Sequence, residues 1–222
     1  MSIPQLLPLK ERLVTYARFV EQMVAKTRDA LVNGHTELLE DVISRDEARA
    51  NASEMDLEEE GTSLIAQHQP MARDLRTVLM VLHATNDLER MADHAVNIAE
   101  ALREHGTVRG APDPEVGRMF DVTLNMVADA VRAFVDEDAA RGQAVCEIDS
   151  VVDDLAASTL QRLTGSMSHE PSGVERNLLL LKVAANLERI ADLSTNIGED
   201  VIYMVEGRVI KHHRGEQEEK AR

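Results

Sequence analysis

Apolar residues recur at helical spacing along almost all of this chain, and the breaks in that pattern divide it into six segments. Leu9, Leu13, Ala17, Val20 and Val24 form one stripe, predicting a first helix over about Leu7 to Val32 that Asn33-Gly34 ends. A second helix is expected from Thr36 to about Gln67, stopped at Gln69-Pro70, and a third from there to about Arg103. Gly106, Gly110, Pro112 and Pro114 mark the clearest boundary. Beyond it a fourth helix is predicted over Glu115 to Val135, a fifth to about Leu163, a polar loop from Thr164 to Gly173, and a sixth from Val174 to about Gly207.

The second half repeats the first. Leu88 to Glu100 reads LERMADHAVNIAE and Leu187 to Glu199 reads LERIADLSTNIGE, identical at eight of thirteen positions. Met23-Val24-Ala25 likewise parallels Met126-Val127-Ala128. Internal repetition of this kind implies two homologous units, and three amphipathic helices suffice to bury one another's apolar faces. The expected fold is all-α: two repeated antiparallel three-helix bundles, at 1–105 and 115–209, with a linker at 106–114 and a charged tail at 210–222.

Composition agrees with helices. Aromatics are 2% of the residues, and the core must come from aliphatic residues and ten Met. The net charge of −16 argues against nucleic acid, whose phosphates need clustered cations, and against anionic lipid. No span approaches transmembrane length and no targeting segment is evident, so a cytoplasmic location is expected, with any membrane link made through a partner. Cys146, the only cysteine, reads as a small core residue. The Lys211-His212-His213-Arg214 run reads as a solvated terminus rather than a metal site.

Acidic residues supply the candidate chemistry. Glu89, Asp93 and Asn97 share one helix face at i, i+4 and i+8, as do Glu188, Asp192 and Asn196. Level residues of two antiparallel helices have numbers with a constant sum. A turn at Gln69-Pro70 sets Asp93 level with Asp46 and Glu89 with Ala50, or, one residue later, brings in Glu47 and Asn51. A turn near Glu170-Pro171 sets Asp192 level with Asp149 and Glu188 with Asp153. Carboxylates converging without Lys or Arg repel unless they protonate or bind a cation, and hard, oxygen-preferring ions suit such a site. Asn97 and Asn196 are then positioned to orient the ligands. The alternative is a solvent-facing acidic stripe in loose ion pairs with Arg189 or Lys182. In the first half Ala50 stands where the second has Asp153, and His94, whose counterpart is Leu193, could add a nitrogen.

The runs Gln69 to Arg76, Asp87 to Glu100 and Asn196 to Gly207 resemble the PhoU family, and the resemblance spans nearly the whole chain. It implies two three-helix bundles bearing carboxylate motifs that hold metal clusters, here Asp149 with Asp153, Glu89 with Asp93, and Glu188 with Asp192. The fourth motif departs from the pattern, Asp46 meeting Ala50 and Glu47 meeting Asn51. Iron is the implied metal, with zinc, manganese or magnesium as alternatives. The resemblance also implies a homodimeric negative regulator of phosphate-starvation signalling. Its implied partners are the ATPase subunit of a phosphate ABC transporter and a two-component sensor histidine kinase. Two other readings are an accessory protein of a low-affinity phosphate transporter and a di-iron carboxylate enzyme. The second needs Glu-x-x-His, which the sequence lacks, and no nucleophile, base and orienter set is present, so no enzyme activity is expected.

Overall fold

The computed structural model describes residues 3–105 and 113–208, and among these the regular structure is entirely helical. The predicted linker, apart from its last two residues, and the tail with its Lys211-His212-His213-Arg214 run lie outside the described residues.

Helix α1 spans Leu6–Asn33 and ends at Gly34, whose φ of 80° is the left-handed conformation that a glycine adopts without strain. Helix α2 is one rod in three consecutive stretches: Glu37–Glu40, a π-helical turn over Asp41–Asp46, and Glu47–His68. It stops at Gln69, also left-handed, before Pro70. Helix α3 spans Ala72–His105. Helix α4, Pro114–Asp136, begins with proline at its first position, where no backbone donor is lost, and Asp113 accepts from the Glu115 and Val116 amides at 3.1 and 3.2 Å. Helix α5, Ala139–Met167, is capped by Asp138, which accepts from the Arg141 amide at 3.0 Å. Only a short turn and the 3₁₀ stretch Pro171–Gly173 then separate it from α6, Val174–Glu206. The fifth helix thus runs about one turn further than the pattern predicts, because Thr164 and Ser166 bond back to carbonyls of their own helix rather than breaking it.

In each unit the third helix is central. Helices α1 and α2 flank α3, and α4 and α5 flank α6. The two central helices also pack on each other, and α1 meets α4, so one continuous apolar core runs through both units. Met23, Leu57, Leu88, Met91, Phe120, Met126, Leu180 and Leu187 are among its fully buried members. Where α5 crosses α6 the backbones nearly touch: a Cβ on Gly142 would lie 2.7 Å from the Gly198 carbonyl oxygen, and one on Gly198 would lie 2.8 Å from that of Gly142. At one end, Glu137, left-handed between α4 and α5, is held by Lys10 at 2.8 Å and by Arg73, which ties the starts of α1 and α3 to that corner.

Candidate carboxylate sites

The second repeat brings together three of its four predicted acids. Glu188 and Asp192 lie one turn apart on α6, and Asp153 faces them from α5, as the level pairing predicts. Burial, then the charges of Asp153 and Asp192, push the Glu188 carboxyl above its ordinary value. Asp192 is raised by burial and by Asp153, against the pull of Arg189, which donates to it at 3.2 Å. Asp149, half-buried one turn before Asp153, acts with Glu199 on Cys146. That thiol donates to the Thr195 carbonyl oxygen at 3.8 Å and is pushed up to about 12, chiefly by burial, which favours the protonated thiol.

Of the two registers expected for the first repeat, the structure follows the one a residue later, although Glu47 and Asn51 are not what meets Glu89 and Asp93. Asp46 is buried and pairs with Lys26 of α1 at 2.5 Å, so its charge is spent on holding α1 to α2. Ala50 is fully buried, as is Val152, the residue before Asp153; the position matching Asp153 is therefore Asn51, which is exposed. Glu47 is half-buried immediately after the π turn. The acid that meets Glu89 and Asp93 is Glu54: burial, Asp93 and Glu54 all push Glu89 upward, and burial, then Glu58 and Asp93, do the same to Glu54. Glu54 lies between Ala50 and Leu57 on the core-facing stripe of α2, where the periodicity calls for an apolar residue. An acid out of phase was the signal available in the sequence.

Two further residues have roles that the sequence reading did not assign. His94 reaches from α3 to α6, where its Nδ1 lies 2.9 Å from the Asn186 side-chain oxygen, and its charge acts on Asp192; it faces the second repeat's acids. Asn196, exposed, hydrogen-bonds to Asp87 of α3 and so works between the repeats, while Asn97 is exposed on α3.

As placed, no three His, Cys, Asp or Glu side chains among the described residues surround one point as a bound ion's ligands would. Each acid group nonetheless combines oxygen-only donors, raised carboxyls and partial burial, the chemistry that a hard cation relieves. Carboxylates on adjacent turns of facing helices can converge by side-chain rotation alone.

Two three-helix repeats fused along their third helices, each carrying an acidic group where its second and third helices meet, define a two-repeat helical-bundle class. The PhoU domain pattern matches residues 13–102 and 116–201, so this chain belongs to the PhoU family. It is 34% identical over 206 residues, 91% of this chain and 92% of the relative, to a phosphate-specific transport system accessory protein PhoU homolog of Aquifex aeolicus. It is 32% identical to the Deinococcus radiodurans homolog, covering 85% and 88%. The crystal structure of PhoU from Pseudomonas aeruginosa superposes with a TM-score of 0.86 at 30% identity, covering 91% of this chain and 98% of that one.

Proposed function

We propose that this protein is a negative regulator of phosphate uptake and phosphate-starvation signalling. In this reading it couples the ATPase subunit of a phosphate ABC transporter to a two-component sensor histidine kinase through protein–protein contacts, as a cytoplasmic homodimer and without turning over a substrate. The observation that carries it is whole-chain similarity, through both repeats, to accessory proteins of phosphate-specific transport. No helix among the described residues is long and apolar enough to cross a membrane, which fits a protein that reaches a transporter through its ATPase.

The acid groups serve in this reading as cation sites. Asp153, Glu188 and Asp192, with Asp149 beside them, would hold an ion in the second repeat; Glu89 and Asp93 would do so in the first. Iron is the metal we assign, with manganese, magnesium or zinc as alternatives. Such an ion would neutralise the acids and fix the angle between the helices that carry them.

Deleting the gene tests the regulatory role. Phosphate-responsive genes should then stay active in phosphate-rich medium, and the intact gene should restore repression. Unchanged repression in the deletion strain would overturn this reading and favour an accessory role at a different phosphate transporter.

A further inference from the structure

Asparagine is followed by glycine at one place in the sequence, Asn33-Gly34, and the fold puts that pair at the corner between α1 and α2. Asn33 is the last residue of α1, and Gly34, at φ 80°, caps it. Both are exposed, and a Cβ on Gly34 would meet nothing within 4 Å, so solvent reaches this peptide unit. Left-handed caps elsewhere hold their amides: Gln69 donates to the Ile65 carbonyl at 3.0 Å, and Gly207 to that of Tyr203 at 2.9 Å. The Gly34 amide donates to no backbone carbonyl among the described residues, although the Gly34 carbonyl accepts from the Thr36 amide at 2.9 Å.

Asp29, one turn back on α1, holds the Asn33 side chain. Asn33 Nδ2 donates to one oxygen of that carboxylate, and His35 Nδ1 lies 2.7 Å from the other. The bond from Asn33 comes first among the influences that keep the Asp29 carboxyl below its ordinary value. The seven other asparagines lie inside helices, where the amide after each is a donor of the helical ladder, and none precedes a glycine.

We propose that Asn33 is a site of spontaneous deamidation in the folded protein, restrained by Asp29, and that the reaction loosens the corner between α1 and α2. Hydroxide takes the Gly34 amide proton, leaving water. The nitrogen then attacks the side-chain carbonyl carbon of Asn33 and a new C–N bond closes a succinimide ring. The old C–N bond breaks, and ammonia leaves after taking a proton from water. A second water opens the ring at either carbonyl, so residue 33 becomes aspartate or isoaspartate, with one water consumed and one ammonia released. Glycine has no Cβ to block the approach, and its amide gives up no backbone hydrogen bond. Only the contact to Asp29 and the backbone of Asn33 itself must yield, at a helix end where fraying is usual. The product reverses that contact. A donor to Asp29 becomes a carboxylate facing it at i, i+4, at a helix C-terminus that disfavours negative charge. Asp29 also lines the groove between α1 and α4 beside Arg28, which pairs with Asp121 at 2.8 Å, so the new charge enters next to a contact between the repeats.

The test incubates the full chain in mildly alkaline buffer and follows each asparagine by mass spectrometry of peptic peptides. The peptide carrying residue 33 should gain one mass unit and separate into two isomers, one of which accepts a methyl group from isoaspartyl methyltransferase. The other asparagines should stay intact. The rate should rise with pH, as loss of an amide proton requires, and Asn33→Gln, whose ring would be larger, should lose the signal. Asp29→Ala should speed the conversion of Asn33, and an unchanged rate there would overturn the restraint. Asn33→Asp should melt below Asn33→Ala, which removes the same donor without adding charge; equal melting would overturn the loosening of the corner. An Asn33 that stays intact in the folded chain while it converts in the urea-unfolded chain would overturn the proposal as a whole, because the fold would then protect it.

Discussion

Asp200 shows how a single acid can set the pH range of this fold. It sits on α6 with a side chain 22% exposed, its carboxylate 3.7 Å from His83 Nδ1, near Asp87 of α3 and Glu199 of its own helix. Burial is the largest influence and pushes its carboxyl up to about 7; His83 opposes this, and Asp87 and Glu199 reinforce it. The folded state therefore favours the protonated acid. Its contribution is complete below the ordinary carboxylate range, near pH 4, and is lost as the pH rises through about 7. At about 1.4 kcal/mol per pH unit the loss is at most about 4 kcal/mol. Glu54, Asp87, Glu89, Glu188 and Asp192 are raised as well and act in the same direction. Melting curves of chelator-treated protein between pH 5 and 8 should show stability falling with pH. Asp200→Asn should make that slope shallower and be the more stable protein at pH 8. A slope unchanged by the substitution would show that Asp200 is ionised throughout.

Among the elements, the crossing of α5 and α6 depends on two glycines, each facing the other's backbone. Gly198→Ala should force the helices apart and destabilise the protein by about 1–3 kcal/mol, read as a lower denaturation midpoint. Gly117→Ala, where an added methyl meets nothing within 4 Å, is the control and should not destabilise. Helix boundaries were legible in the sequence to within a few residues because Gly34, Pro70, Pro114 and Gly207 act locally on the backbone. The second repeat's trio was legible because α5 and α6 are uninterrupted helices joined by a short turn, so counting back from Pro171 reaches Asp153 opposite Glu188. In the first repeat counting left two registers, with Asp46 and Ala50 or with Glu47 and Asn51. A π turn holds more residues than an α turn, so the Asp41–Asp46 turn, which lies beyond Glu47 as counted from Pro70, shifts the face of Asp46 and of the residues before it but not those of Asn51 or Glu54. Asp46, at its end, points inward to Lys26. Glu54 was missed because a glutamate between Ala50 and Leu57 looks like noise in an apolar stripe until α3 places Glu89 and Asp93 against it.

For the whole molecule, the joining of α3 to α6 means that the two repeats do not fold around separate cores. His94 bonds across this joint to Asn186 and lies near Asp192, so the first repeat reaches the second's acid group, and Asn196 bonds across it to Asp87. An ion bound at one acid group would thus alter contacts that the other repeat shares. In the proposed function this joint is the route by which cations and partners would influence one another. The acid groups are either cation sites or solvated surface, and the two differ in how the fold responds to a divalent ion. Thermal unfolding of chelator-treated protein with and without Mn²⁺ decides this most directly. At a hundredfold excess over the dissociation constant a site stabilises by about 2.7 kcal/mol, which for a chain of this size is a rise of roughly 5–11 °C. Asp153→Asn with Asp192→Asn should lose much of that rise while slightly raising the melting temperature without cation, because mutual repulsion is relieved. A solvated stripe would instead give a small shift that NaCl of equal ionic strength reproduces, and that result, or a double variant with the full wild-type response to Mn²⁺, would contradict the account.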